Sequence, residues 1–149
     1  MNATVTHTST TTEASTTSRA IGWGVAIGAA QTVIALAFWW LPLSTVHALM
    51  IALIAAVYVG FAVSDGRTRV VAVDVAVVVA FFTAAAAAVS VTPWILVAIY
   101  LAHGAKDLWQ HRTGFVHGTR WWPPFCFAVD VAVGGIIASQ ILLGVQFHA

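Results

Sequence analysis

Residues 44–69 read STVHALMIALIAAVYVGFAVSDGRTR. The first twenty of them, 44–63, contain no Asp, Glu, Lys or Arg, and the stretch then closes on Ser-Asp-Gly-Arg and a second arginine, Arg69. Twenty apolar residues, each rising about 1.5 Å in a helix, match the roughly 30 Å of hydrocarbon in a bilayer. A lone segment in lipid has to satisfy its backbone internally, so the stretch reads as a helix that ends at a polar turn. The same pattern repeats on either side, at 20–41 before it and at 70–91, 94–112 and 122–145 after it. Pro42 separates the first two segments, with Ser44 and Thr45 available as N-caps. Thr92-Pro93 opens the fourth, and Pro123-Pro124 falls in the first turn of the fifth, where a missing N–H costs little. The valine run 75–79 and the alanine run 84–88 could pass for strands, but lipid forces them into helix as well. The short connections predict that successive helices are antiparallel neighbours.

Composition agrees. Of 149 residues, 60% are hydrophobic and 7% charged, against about a quarter charged in a soluble domain. That excludes a soluble enzyme. A formal charge of +1 provides no field for a nucleic acid backbone, which needs clustered cations. The single cysteine, Cys126, excludes a disulfide framework and a Cys-based zinc site. Residues 1–20 include eleven Ser or Thr and lack the apolar surface that would offset ordering, so they read as a disordered cytoplasmic tail. They do not read as a signal peptide, because early positive charge is missing and the following apolar run is too long. Residues 21–149 form the transmembrane domain. The fold expected is all-α, an integral membrane bundle of five transmembrane helices.

Charge placement sets the orientation. The cations are Arg19, Arg67, Arg69, Lys106, Arg112 and Arg120. With five crossings, all six fall on one side, and the opposite loops and the C-terminal tail carry none. The positive-inside rule then puts the N-terminus in the cytoplasm and the C-terminus outside, in a multi-pass protein of the inner (plasma) membrane. Tryptophans at 39, 40, 94, 109, 121 and 122 fall near helix ends, as an interfacial aromatic belt does.

Against this background the remaining polar residues stand out, since a charge at the bilayer centre costs about 2.5–3.5 kcal/mol on insertion scales. Asp74 lies one turn inside the third helix. His103 is mid-helix in the fourth, with Asp107 one turn nearer the cytoplasm, and Asp130 lies two turns into the fifth. All three acids land in the cytoplasmic half. In the stretch YLAHGAKDLWQHR, Tyr100, His103, Asp107 and Gln110 or His111 share one face, with Lys106 beside it and long enough to snorkel to the interface. Phe81 and Phe82 extend the face of Asp74. Phe127 and Cys126 lie one turn below Asp130, and Gly134 lies one turn above it, where it permits close helix approach. Tyr58, Phe61 and Asp65 share a face of the second helix. Together these stripes describe a pocket with acids at its cytoplasmic end and aromatic rings deeper in.

Bland readings exist for each. The acids can pair with Lys106, Arg112 or Arg120 and simply hold the bundle together. Asp65 reads as a turn residue, His7, His117 and His148 as solvated, and His47 as interfacial. Gly24-x-x-x-Gly28 reads as a helix-packing device, and Cys126 as a small buried hydrophobe. His103 and Asp107 fit a structural explanation least.

Four functions suit such a chain. The first is acid-initiated cyclisation or isomerisation of a lipophilic prenyl or terpenoid substrate. A carboxylic acid in apolar surroundings stays protonated and can donate, and the resulting carbocation is stabilised by aromatic faces. Asp107, oriented by His103, is the first choice of donor, with Asp130 and Asp74 as alternates. Tyr100, Phe81, Phe82, Trp109, Tyr58 and Phe127 are the substrate-binding candidates. No cofactor is needed, and the substrate enters from the bilayer. The second is a metal-dependent membrane enzyme using His103, Asp107 and His111 at i, i+4, i+8, completed by Asp130 or Asp74. The third is a proton-coupled small transporter, which at this size has to act as a homo-oligomer. The fourth is an accessory subunit whose polar face meets a partner helix.

Three patterns then carry a resemblance: Tyr58-Val-Gly-Phe-Ala-Val-Ser-Asp-Gly-Arg67, His103-Gly-x-x-Asp107-x-x-x-His111-Arg112, and Trp122-Pro-Pro-Phe-Cys-x-x-x-Asp130. Over helices two to five the chain resembles a group of small bacterial multi-pass membrane proteins. In size, topology and placement of acids it is similar to the membrane-integral terpene cyclases of bacterial indole-terpenoid pathways, which close farnesyl chains on indole diketopiperazines. That resemblance implies a protonating acid among Asp74, Asp107 and Asp130.

Overall fold

The computed structural model describes residues 5–117 and 120–148, with side chains from residue 15 onward. They form five helices, α1 (Val5–Ala35), α2 (Leu43–Asp65), α3 (Thr68–Ser90), α4 (Trp94–Thr113) and α5 (Trp122–Leu142), so the protein is all-α. By length and composition α2, α3 and α5 can each cross a membrane. The polar start of α1 and the charged stripe of α4 set those two helices apart from them.

Helix ends follow local chemistry. Gly66 closes α2 at φ 80° and Gly114 closes α4 at φ 59°, conformations that cost glycine nothing because it has no Cβ. Pro123 and Pro124 occupy the first turn of α5 as the sequence predicts. The expected N-caps Ser44 and Thr45 do not serve: α2 starts on Pro42 with no side-chain cap, and the Ser44 N–H donates to the Phe147 carbonyl at 3.0 Å. The C-terminal segment supplies the acceptor that a capping side chain would otherwise provide.

α1 departs from expectation at both ends. Part of the tail predicted to be disordered is helical from Val5; residues 1–4 and the side chain of His7 lie outside the described residues. Once an apolar helix is nucleated, adding Ser and Thr residues costs only tenths of a kcal/mol each. At the other end α1 stops at Ala35, short of residue 41, and three-residue turns such as Leu41 N to Phe38 O (2.9 Å) lead to Pro42. Trp39 and Trp40 stand exposed on that turn. The other tryptophans of the expected belt also fall at helix ends.

Packing corrects the expected neighbour order. α1 scarcely touches α2 and lies along α5, which also carries α4, while α2 and α3 form a pair that closes onto α4. Glycine explains the choice. A Cβ on Gly24 would run into the Phe125 carbonyl oxygen and come 2.7 Å from the Ala128 Cβ, and one on Gly28 would lie 3.0 Å from the Ala132 Cβ. The Gly24-x-x-x-Gly28 face thus lets two backbones meet without intervening side chains. Gly24→Leu is expected to detach α1 from α5 and destabilise the protein by about 1–3 kcal/mol or more, since the obstructing atoms are backbone; thermal unfolding in detergent reads this.

Inside, Ile51, Ala85, Ala88, Leu96, Tyr100, Val133 and Ile137 form the core, and Phe147 of the returning C-terminal segment is buried with them. The 66–67 connection and residues 114–117 after α4 share one end of the bundle. There Arg67 donates to Asp65 at 2.6 Å and to the Phe115 carbonyl at 2.6 Å, and Asp65 also accepts from the His117 backbone N–H at 2.8 Å. Its hydrogen bonds to Asp65 hold the Arg67 guanidinium above its ordinary value. Asp65 is thus the last residue of α2 and a staple between two connections, more than a turn residue. His117 is exposed, as expected, though bonded to it.

Candidate functional site

Small residues bring α4 and α5 close enough for their polar side chains to meet. A Cβ on Gly104 would touch the Asp130 Cβ at 3.4 Å, and one on Gly134 would touch the Tyr100 Cβ at 3.4 Å. Across this seam His103 Nδ1 lies 2.8 Å from Asp130 Oδ2 and 3.6 Å from Asp107 Oδ2. One nitrogen therefore addresses two carboxyl groups, from α4 and α5. His103, Asp107, Asp130 and Asp74 are all 0% exposed.

The surroundings of the triad come from α2 and α3. The Tyr58 ring packs against His103 with centroids 5.3 Å apart, and the Phe81 ring does so at 5.1 Å, both edge-on. The Tyr58 hydroxyl and the buried Cys126 thiol border the Asp107 carboxyl. Among the described residues, neither oxygen of Asp107 nor Nε2 of His103 has a hydrogen-bond partner. Buried polar atoms are nearly always paired. Both ring nitrogens of His47 and the Tyr58 hydroxyl also lack a partner among the described residues; what sets the triad apart is that its unpaired atoms belong to groups within reach of one another.

A second polar group adjoins it. Lys106 Nζ lies 3.1 Å from Asp74 Oδ1 and 3.6 Å from the centre of the Tyr58 ring. Gln110 Nε2 donates to Asp74 Oδ1 at 3.1 Å. Lys106 thus does not snorkel outward as its length suggested; Asp74 and the ring face hold it inside. Asp74 takes the structural role, an ion pair with α4, so the bland reading open to each acid applies to this one.

The predicted site residues divide cleanly. His103, Asp107, Asp130, Tyr58 and Phe81 converge. Phe127 lies at the α4–α5 seam, where its ring meets Gly104 at 3.5 Å from the position of an added Cβ. Phe82 is 46% exposed: eight residues from Asp74 carry it about 80° past that face of α3. Trp109 is 44% exposed and stacks on Phe115 at 4.8 Å, outside the cluster. His111 is exposed and does not join His103 and Asp107; Asp130 takes the third position, because a neighbouring helix reaches the centre and a residue two turns along α4 does not. The Tyr100 hydroxyl is committed elsewhere, donating to the His47 carbonyl at 3.3 Å and accepting from Gln31 Nε2 at 3.1 Å.

His47, read as interfacial, is also fully buried, between the rings of Tyr100 and Phe147. The signal was present: His47, Ile51, Ala55, Tyr58 and Ala62 continue one buried stripe at three- and four-residue spacing.

A metal ion would find its ligands in the triad. One atom each of His103, Asp107 and Asp130 lies within 4.8 Å of the other two. Compared with protein-family models, curated proteins and solved structures, the chain matches none.

Proposed function

We propose that this chain is a plasma-membrane enzyme with five crossings, N-terminus inside and C-terminus outside, that uses a buried acid to start the isomerisation or cyclisation of a prenyl-type substrate. The crossing count and orientation draw support from the shared end of the 66–67 and 114–121 connections: Arg67, Arg69, Arg112 and Arg120 belong to it, and an even number of crossings separates it from Arg19.

The observation that carries the chemistry is the addressing of two buried carboxyl groups by one imidazole nitrogen, with aromatic rings against the same imidazole. Asp130 holds His103 by accepting from its Nδ1–H, which fixes the tautomer and the ring plane. Asp107, without a hydrogen-bond partner among the described residues, donates its proton to an alkene carbon. The alkene π electrons form the new C–H bond, and the adjacent carbon becomes a tertiary cation. Phe81 offers a π-face to that cation, since the Tyr58 ring already carries the Lys106 ammonium at 3.6 Å. Attack by a second alkene closes a ring, and loss of a proton to the Asp107 carboxylate ends the sequence, so product and substrate have equal mass.

The test uses purified full-length protein in lipid nanodiscs with farnesyl- and geranylgeranyl-bearing compounds, followed by chromatography and mass spectrometry. The expected product has unchanged mass and fewer or shifted double bonds. No conversion of any prenyl compound overturns the reading. Separately, single cysteines placed in the 66–67 turn and in the C-terminal tail of a Cys126→Ala background are expected to react from the inside and the outside, respectively, with an impermeant thiol reagent.

A further inference from the structure

We infer that His103, Asp107 and Asp130 form a binding site for one divalent first-row cation of the zinc class. Separations of 2.8 and 3.6 Å from His103 Nδ1 to the two carboxylate oxygens bracket the spacing of about 3–3.5 Å that adjacent ligands take around a cation held at 2.0–2.2 Å. One nitrogen and two carboxylate oxygens suit zinc, iron(II), manganese or cobalt and do not suit copper(I).

Two independent features point to a cation. Both oxygens of Asp107 and Oδ1 of Asp130 are buried and without hydrogen-bond partners among the described residues, and an ion satisfies such atoms where protein donors do not. Charge is the other feature. The buried interior holds the carboxyl groups of Asp74, Asp107 and Asp130 and, nearby, the Lys106 ammonium, committed to Asp74 at 3.1 Å. A dication that displaces the protons of Asp107 and Asp130 meets two carboxylates and a neutral imidazole, and that set is neutral. Buried charge is tolerated when it is paired or coordinates a metal.

Cation binding here does not depend on the acid reading. Its consequence rests on the acid reading: with a cation engaged, Asp107 has no proton to give, so cation and turnover exclude each other.

The experiment is a titration of chelator-stripped, full-length protein with Co²⁺, read by the visible absorption of low-symmetry cobalt. Saturation is expected at one equivalent. Asp107→Asn and Asp130→Asn are each expected to weaken binding by at least about 100-fold, while His111→Ala binds as the wild type does. X-ray absorption of the Zn²⁺-loaded wild type needs no variant and is expected to show oxygen and imidazole ligands. Failure to take up cobalt, uptake that is unchanged in both Asn variants, or a sulfur ligand from Cys126 overturns the site. Stoichiometric binding without prenyl turnover keeps the site and removes the acid reading; turnover without binding does the reverse.

Discussion

Asp107→Asn is expected to lower prenyl turnover by at least about 100-fold, the range a single general acid supplies, while leaving a folded protein in the membrane. The amide keeps the shape of the carboxyl group but cannot donate a proton to carbon. The Tyr58 hydroxyl and the Cys126 thiol that border the carboxyl can serve the amide oxygen equally, so little structural cost accompanies the change, and helical content and thermal unfolding should match the wild type. His103→Gln is expected to be milder and to unsettle the site rather than abolish it, because it removes the imidazole 3.6 Å from the Asp107 carboxyl and leaves the proton donor in place. Wild-type turnover in Asp107→Asn would strip Asp107 of the donor role and leave Asp130 to be examined in the same way.

The largest effect on stability is expected from Lys106→Met. Breaking a buried ion pair by removing one partner leaves an uncompensated charge and costs about 3–5 kcal/mol. Here the charge left behind is Asp74, 0% exposed, keeping only the amide of Gln110 at 3.1 Å. Adding Asp74→Asn removes the stranded charge, so the double variant should recover most of the loss. Chemical denaturation in mixed micelles measures all three proteins. A double variant no more stable than Lys106→Met would mean that the ammonium acts through the Tyr58 ring, over which it lies at 3.6 Å, and not through Asp74.

Much of this was legible because lipid leaves few choices. Apolar runs of about twenty residues, separated by Pro42, Gly66, Pro93 and Pro123, determine five helices and their ends to within a few residues for α2–α5. α1 was misjudged because composition reports whether a segment can form a core, whereas helix propagation from an apolar neighbour needs only weak propensity. The neighbour order was hidden for another reason. Connection length brings chain neighbours together, yet Gly24 and Gly28 give α1 a better partner in α5 than in α2. At the site, helical periodicity put His103 and Asp107 on one face correctly, and it suggested His111 for the same reason. Periodicity describes one helix at a time, so the third group, Asp130, could be recognised as a candidate but not placed against His103. Phe82 and Trp109 failed because an aromatic residue one position off a face is turned to the outside, and an interfacial tryptophan looks the same in sequence as one lining a pocket.

The central claim is that a proton from this buried cluster is transferred to carbon, and deuterium labelling tests it most directly. Wild-type protein in nanodiscs is equilibrated in D₂O and held in molar excess over a prenyl compound it converts, so that each molecule turns over once. It is expected to yield product carrying one solvent deuterium at the carbon where the reaction starts, with no label in the unreacted substrate. Conversion to an isomer that contains no deuterium would contradict it.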